Sequence, residues 1–471
     1  MNDPLPHHVH LIGIGGAHMS AIARILLSWG HEISGSDLRG TPATDALVDL
    51  GADVHIGPHD ASYIGDASLV VHTSAARPEN PEIAAALARG IPLVKRADMV
   101  ARLMQGLVGV CVAGCHGKST TSGLVAYMLE QAGLDPTYLI GAEVNALGNN
   151  AKAGSGSFVV VEADEYDRAF LSYSPKVALV TNVEADHLDY YLTWEAIQAA
   201  FRQFASQVLP DGTLILCADN AEALDLCSYA QPGVHIETYS VDAPTQPAAT
   251  PGAVNWTVTD VEVGARQTFV AHYRGERFGD FTISLPGRHN LQNALGAVAI
   301  GRACGLDAGT IARGLEGYSG VRRRFELVGE VNDILLMDDY AHHPTEVRAL
   351  AAAARARFPD RRIVALFQPH TFARTRYLLD GFRTCFEGFD RLYLLETYAA
   401  REAIADGMTA KDLAAEVTTP PPTYTETFEE AAEVIARELR PGDVFFTVGA
   451  GDLDIVGPLI LKRLESQALK P

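Results

Sequence analysis

Residues 108–129 constrain the fold more than any other stretch of the chain. Val108 to Ala113 is an almost uninterrupted apolar run, as expected of a strand buried on both faces. A glycine-flanked turn, Gly114-Cys115-His116-Gly117, follows it. Lys118-Ser119-Thr120-Thr121 then opens a helical pattern carried by Leu124, Val125, Met128 and Leu129. A strand that passes through glycines into a helix N-terminus presents backbone N–H groups with the helix dipole behind them, which favours an anion. Lys118 adds a charge and Ser119 a hydroxyl able to hold Mg²⁺, so the stretch reads as a nucleotide-phosphate cradle. Its spacing, Gly114-x-x-Gly117-Lys118-Ser119, is two residues shorter than the general G-x-x-x-x-G-K-[ST] pattern. The loop alone does not say which reaction the phosphate serves.

A second glycine turn lies near the start. The expected strand Val9 to Ile12 runs into Gly13-Ile14-Gly15-Gly16-Ala17-His18-Met19-Ser20. A helical pattern from Ala21 to Trp29 and a strand from Glu32 to Ser36 follow, ending at Asp37. This is a βαβ unit with a phosphate-type turn and a carboxylate placed to reach a ribose. His18 stands where G-x-G-x-x-G would have its third glycine, so a dinucleotide oxidoreductase is not favoured; a plain tight turn is the other reading. His7, His8 and His10 read as a terminal tail rather than a metal site.

The rest of the chain divides into three α/β units, 1–107, 108–320 and 321–471. The fold class expected is a Rossmann-like N-terminal domain, a central P-loop-type ATPase domain with a mainly parallel sheet, and a C-terminal Rossmann-like domain. In the first unit, further strands are expected at Leu69 to His72 and Gly90 to Val94. The second contains strand-like runs at Phe158 to Val161, Val177 to Thr181 and Thr213 to Leu216. A loop rich in proline (Pro232, Pro244, Pro247, Pro251) comes next, then a small antiparallel insert at Trp256 to Val263, Thr268 to Tyr273 and Phe278 to Leu285. In the third, strands at Ile334 to Met337, Ile363 to Phe367, Leu392 to Leu395 and Val444 to Val448 alternate with helical patterns, the clearest from Thr345 to Arg357.

Charge narrows the partners. With 37 basic and 58 acidic side chains the net charge is −21, which argues against a nucleic-acid or anionic-membrane surface. An anionic ligand must then be held by local positive sites, and the clustered arginines gain interest. No apolar run is long enough for membrane insertion, and the start lacks a basic, then apolar, leader pattern. Six dispersed cysteines without a C-x-x-C pair suit a reducing, cytoplasmic setting. A monomer or a homodimer is compatible with this composition.

Several strand ends deliver reactive groups. Glu162-Ala163-Asp164-Glu165 after one strand, and Asn182 to Asp189 after the next, bring carboxylates and His187 toward the phosphate loop. Oxygen donors beside phosphate suit Mg²⁺, with a solvated acidic turn or helix caps at Asp186 and Asp189 as the plain alternatives. Asn290 and Asn293 share one face of a helix start, where side-chain amides fit an adenine edge and Asn290 could equally be an N-cap. Arg322 to Arg324 are either a solvated charge run or, at a domain junction in so acidic a chain, a γ-phosphate contact. Asp338-Asp339-Tyr340-Ala341-His342-His343-Pro344 reads as a metal cluster or a capped β–α turn, the latter favoured by Pro344. Arg374 and Arg376 could pair a carboxylate.

Taken in order, GIGGAHMS (13–20), GCHGKSTT (114–121), EADEYDRAFL (162–171), TNVEADHLDYY (181–191), GRHNLQNAL (287–295), VRRRFE (321–326), DDYAHHPTEV (338–347), FQPHTFARTR (367–376) and VGAGD (448–452) resemble the Mur ligase family. The departures are Cys115 and Ser119 where threonines are usual, His18 where glycine is common, and Thr371 where some relatives carry arginine. The resemblance implies joining the lactyl carboxylate of UDP-N-acetylmuramate to L-alanine, with ATP cleaved to ADP and phosphate and Mg²⁺ as cofactor. It implies that Gly13, Gly15, Gly16, His18, Met19, Ser20 and Asp37 serve the UDP-sugar. Gly114, Cys115, His116, Gly117, Lys118, Ser119 and Thr120 would hold the ATP phosphates, with Asn290 and Asn293 at the adenine, Asp339 at the ribose and Arg324 at the γ-phosphate. Ser119, Glu162 and His187 would hold metal; His187, Tyr340 and Arg374 would meet the amino acid. Lys118, His187 and Arg324 would be the catalytic residues. Several family members bridge their metals with a carbamylated lysine downstream of the histidine. No lysine occurs here between Lys176 and Lys411, so ordinary side chains are expected to do this.

Overall fold

Three separate sheets, each fed by β–α connections, account for the strands. The computed structural model describes residues 5–468 apart from 248, 249, 251, 265, 401 and 403–406. The first sheet contains β1 (His8–Ile12), β2 (Glu32–Asp37), β3 (Asp53–Ile56), β4 (Leu69–His72) and β5 (Leu93–Lys95), in the order β3-β2-β1-β4-β5 and wholly parallel. The second contains β6 (Val108–Ala113), β7 (Thr137–Val144), β8 (Asn149–Lys152), β9 (Phe158–Glu162), β10 (Val177–Val180), β11 (Thr213–Cys217), β12 (His235–Tyr239), β13 (Trp256–Val263), β14 (Gln267–Tyr273) and β15 (Glu276–Ile283). Its order is β15-β14-β13-β12-β11-β10-β6-β9-β7-β8, parallel from β13 through β7 and antiparallel at both ends. The third contains β16 (Glu326–Val331), β17 (Ile334–Asp339), β18 (Arg362–Phe367), β19 (Arg391–Leu395), β20 (Thr423–Thr425) and β21 (Asp443–Val448), in the order β16-β17-β21-β18-β19-β20. Only β16 runs antiparallel there.

Strand β6 shows why the central sheet must be covered on both sides. Cys111 and Ala113 enter one apolar cluster and Val110 and Val112 the other, all fully buried. Helices Lys118–Gln131 and Arg288–Ala303 pack on the second side, and helix Trp194–Ser206 on the first, where Phe170 stacks on Phe204 at 4.9 Å and meets Phe201 edge-on at 5.1 Å. The N-terminal domain docks through helix Ala17–Ser28 against β7 and β8. An ion pair, Arg96 to Asp164 at 3.1 Å, joins the same two domains. No described helix is long and apolar enough to cross a membrane.

The structure corrects parts of the sequence reading. His8 and His10 are not a tail: they belong to β1, and His10 is fully buried, donating to Glu82 Oε2 at 2.7 Å. Glu82 lies at the start of helix Pro81–Ala88 and also accepts from His59 and Ser36. Alternating polar residues in β1 therefore face a buried polar network rather than water. The first helix begins at Ala17, not Ala21, so His18, Met19 and Ser20 form its first turn. The proline-rich passage opens with a strand, β12, and hairpin β7–β8 also escaped the sequence pattern, since Gly141 and the polar run Asn149-Asn150 interrupt it. The antiparallel insert β13–β15 forms where it was expected.

Replacing Glu82 by alanine leaves His10, Ser36 and His59 without their shared acceptor. The loss expected from breaking such a buried pair is about 3–5 kcal/mol, to be measured by chemical denaturation of the full chain against wild type.

Candidate functional site

The phosphate loop starts where β6 ends, with β9 on one side and β10 on the other, at the carboxyl edge of the parallel sheet where α/β folds bind ligands. Residues following β10 shape it. The Cys115 N–H donates to the Asn182 carbonyl at 3.2 Å, the His116 N–H to Asn182 Oδ1 at 2.9 Å, and the Thr181 hydroxyl to the His116 carbonyl. Both flanking glycines are required. Gly114 (φ +132°) and Gly117 (φ +84°) take backbone conformations that other residues avoid, and a side chain on either would collide with Thr181 or Asn293. Gly117 is the N-cap of helix Lys118–Gln131, with no side chain capping the helix end. The exposed N–H groups of that turn are thereby left for an anion.

Lys118 is turned onto its own loop. Its Nζ donates to the Gly114 carbonyl at 2.6 Å and to Glu165 Oε1 at 2.9 Å. Burial would lower its pKa, but Glu165 and Asp164 outweigh that and hold it above the ordinary lysine value. Ser119 Oγ donates to Glu162 Oε1 at 2.9 Å, and the Gly141 N–H donates to Glu162 Oε2 at 2.7 Å. Burial raises the Glu162 carboxyl above its usual range, only partly offset by Lys118. A hydroxyl and a buried carboxylate side by side at the phosphate loop form an all-oxygen donor pair, which fits Mg²⁺. His187 Nε2 lies 3.5 Å from Glu165 Oε1 and 3.7 Å from Asp186 Oδ2, and donor atoms of these three residues all fall within 4.8 Å of one another. Among the described residues, a second group with that spacing is His116, Glu184 and His343.

The three consecutive arginines have three different fates. Arg322 is exposed, 4.0 Å from Glu143. Arg323 is structural: it bonds Asp338 at 2.8 Å and the carbonyls of Gly449 and Gly451 at 2.9 Å each. Arg324 reaches the cleft and donates to Glu346 Oε1 at 3.1 Å. Left-handed backbone at Arg323 and Phe325 sends neighbouring side chains in different directions. The two aspartates that end β17 and the two histidines after it do not gather as a metal cluster. Asp338 holds Arg323, Asp339 accepts the N–H groups of Phe325 (2.8 Å) and Ala341 (2.9 Å), and His343 caps helix Pro344–Arg357. Burial pushes the Asp339 carboxyl up to about 6. Tyr340 has the guanidinium groups of Arg323 and Arg324 each 5.3 Å from its ring centre.

Arg374 crosses between domains. Its Nε and Nη2 donate to Asp186 Oδ1 at 3.1 and 2.9 Å, and its Nη1 to His370 Nδ1 at 2.8 Å. Asp186 is thus neither a helix cap nor free; most of the arginine fork is already engaged by it. In the N-terminal turn, Asp37 Oδ2 accepts the Gly15 N–H at 2.9 Å and braces the loop. Met19 and Ser20 are buried, and Ser20 Oγ bonds the Ala17 carbonyl at 3.1 Å, so neither projects a side chain to a ligand. His18 does: it lines one cavity together with Lys118, Ser119, Glu162, His187, Arg324, Tyr340 and Arg374. A second cavity, lined by Asn290, Asn293, His116, Arg324 and Asp339, adjoins it across Gly117, Ser119 and Glu346. Asn293 rests against Gly117, and Asn290 is not an N-cap, because Gly287 holds that position.

Sequence reasoning missed the partners of these groups. Glu165, Asn182, Glu184 and Glu346 sit within matched motifs, but pattern alone does not say that a carboxylate faces a particular lysine, histidine or arginine. Burial also sets charge states here. It depresses His18 and His370 to about 4 and His342 to about 3. These imidazoles are neutral when folded, whereas an unfolded histidine titrates near 6.5. Stability they confer is complete above the unfolded value and is lost as pH falls from about 6.5 toward 4. Two-dimensional NMR of the imidazole nitrogens at pH 6 should find all three uncharged; a charged His342 signal at that pH would contradict this arrangement.

Comparison with known proteins accords with this geometry. Residues 8–107 match the Mur ligase family catalytic domain, 112–301 the Mur ligase middle domain and 323–451 the Mur ligase glutamate ligase domain. The chain is 41% identical over 462 residues to the UDP-N-acetylmuramate–L-alanine ligase of Geobacter sp. (strain M21), covering 97% of this chain and 98% of that protein. It is 43% identical over 469 residues to the ligase of the same name from Roseiflexus sp. (strain RS-1), covering 98% and 100%. Among solved structures, a UDP-N-acetylmuramate–alanine ligase from Thermotoga maritima superposes with a TM-score of 0.80 at 27% identity, over 98% of this chain and 99% of that one. A murein peptide ligase from Psychrobacter arcticus shares the fold, with a TM-score of 0.73 at 24% identity over 98% and 99%. With three consecutive domain matches and relatives aligned end to end, the chain belongs to the Mur ligase family.

Proposed function

We propose that the chain joins the lactyl carboxylate of UDP-N-acetylmuramate to L-alanine, cleaving ATP to ADP and phosphate. One observation carries the reading: groups from all three domains, His18 beside the first glycine turn, Lys118 and Glu162 of the central domain, and Tyr340 and Arg374 of the third, line a single cavity. A three-substrate condensation needs that convergence. The relatives that align along nearly the whole chain bear the name of this activity. We take 1–107, 108–320 and 321–471 as the UDP-sugar, ATP and amino-acid domains.

A carboxylate is a poor electrophile, so it is first made into an acyl phosphate. Its oxygen attacks the γ-phosphorus of ATP and ADP departs. The alanine amine, freed of its ammonium proton, then attacks the carbonyl carbon, loses a further proton as the amide forms, and releases phosphate. Such transfers depend on positioning and charge neutralisation more than on protein nucleophiles. Lys118, Thr120 and the N–H groups of residues 117–119 hold the phosphates, with Arg324 at the γ-phosphate. Asn290, Asn293 and Asp339 bound the nucleoside side of the cleft. Ser119 and Glu162, with His187 close by, would hold Mg²⁺, which when bound neutralises charge between the phosphates. The turn Gly13-Ile14-Gly15-Gly16 spends its own N–H groups on Ser36, Asp37 and Gly13, and the helix start it presents receives the UDP diphosphate through the N–H groups of Ala17, His18 and Met19. Tyr340, Arg374 and His187 surround the amino acid. Arg374 keeps little of its fork free beside Asp186, so it orients the pocket as much as it binds a carboxylate.

Phosphate release with UDP-N-acetylmuramate and L-alanine, glycine, L-serine or a tripeptide offered separately tests the reading; a clear preference for the tripeptide would overturn it. Lys118→Ala should lower turnover by on the order of 10²–10³-fold or more, and Ser119→Ala should raise the Mg²⁺ concentration needed for half-maximal rate. A crystal structure with Mg²⁺ and an ATP analogue should show only unmodified side chains around His187; a carbamylated lysine there would contradict the lysine-free stretch between Lys176 and Lys411.

A further inference from the structure

Glu346 lies in the first turn of helix Pro344–Arg357, and its buried carboxylate serves two domains at once. Oε2 does local work. It accepts the N–H groups of His342 at 3.0 Å and His343 at 3.3 Å, closing a capping box. Glutamine performs that task as well as glutamate. Oε1 is shared differently: Arg324 Nη1 lies at 3.1 Å and His116 Nδ1 at 3.4 Å. Arg324 comes from the domain junction and His116 from the phosphate loop. The other nitrogen of His116 is 3.4 Å from Glu184 Oε2, and Glu184 accepts from the hydroxyl of Thr345, the neighbour of Glu346, at 2.8 Å. Two carboxylates, one on each domain, therefore grip the loop histidine.

Two physical consequences follow. An arginine with one corner of its fork pinned presents the remaining N–H groups in a set direction, which is what phosphate recognition requires. The imidazole of His116, despite its burial, is lifted to about 10 by Glu346 and Glu184, so the loop offers a second positive charge beside Lys118. Neither effect needs Glu346 to touch the nucleotide. Only the second crosses a domain boundary, because Glu346 and Arg324 are on the C-terminal domain and His116 is not.

We propose that Glu346 is a positioning residue that sets Arg324 and His116 against the terminal phosphate of ATP. The proposal rests on the nucleotide reading of the loop and deepens it. The test is a double-substitution cycle read by calorimetric binding of ATP with Mg²⁺, using the full chain as wild type, Glu346→Gln, Arg324→Gln and the pair. Glutamine keeps the cap but not the charge, so the expected result is a lowered melting temperature, unchanged binding of UDP-N-acetylmuramate, and ATP binding weakened about ten-fold or more. In the Arg324→Gln background the same replacement should cost about three-fold less than in wild type, since most of what it positions is already gone. Glu346→Ala, which loses the cap too, should lower the melting temperature further than glutamine does. ATP binding by Glu346→Gln within about two-fold of wild type, or an equal loss in both backgrounds, overturns the proposal. Turnover of the wild-type chain is a separate readout. A protein that binds ATP but does not ligate alanine would sink the substrate assignment and leave the test of Glu346 standing.

Discussion

The cleft depends on the grip that the residues after β10 exert on the loop after β6. Thr181 and Asn182 take up the hydrogen-bonding groups of Cys115 and His116, which frees the N–H groups of the following turn to face a ligand. Because β6 and β10 are neighbours in one sheet with four paired residues in register, a shift of either strand would carry the loop with it. Buried flanks on both faces make such a shift expensive. Rigidity here allows an anion site to be built from backbone rather than from long flexible cations, in a chain whose overall charge would otherwise repel phosphate.

Charge in the cleft is handled by pairing across domain boundaries. Arg96 with Asp164, Arg374 with Asp186, and His116 with Glu346 each join a group of the central domain to one of its neighbours. Single buried charges are costly, and a pair is tolerated only where its geometry is good. Docking of the outer domains therefore both closes the cavity and satisfies charges that would stand alone in the separated domains. Burial keeps the imidazoles of His18, His342 and His370 neutral, with Arg96 beside His18 and Arg374 beside His342 and His370 acting in the same direction.

Much of the architecture was legible from pattern. Apolar runs marked β1, β6, β9, β10 and the core strands of the third sheet, and strict alternation marked β13 to β15. Both glycine turns stand at strand ends as their motifs require. Strands that lie at sheet edges or carry polar residues on one face were less visible: β3, β8, β12, β16 and β20 have no run long enough to stand out from loops. His10 was misread for a related reason. A histidine in a polar-looking stretch resembles a tail until Glu82, 72 residues away, is seen to accept its hydrogen bond.

The sequence by itself determined the three-unit α/β organisation, the phosphate loop and the residue types that reach the strand ends, because periodicity and glycine placement act locally. Only the tertiary structure decided which of those residues work together. Arg322, Arg323 and Arg324 are chemically identical in the chain, yet one is solvated, one is bound to carbonyls and one faces the cleft. Asp186 becomes the partner of Arg374, 188 positions later, and Glu346 the common partner of Arg324 and His116. Such assignments depend on burial and on distances of a few ångströms between elements far apart in sequence. Those quantities exist only once the three sheets have packed.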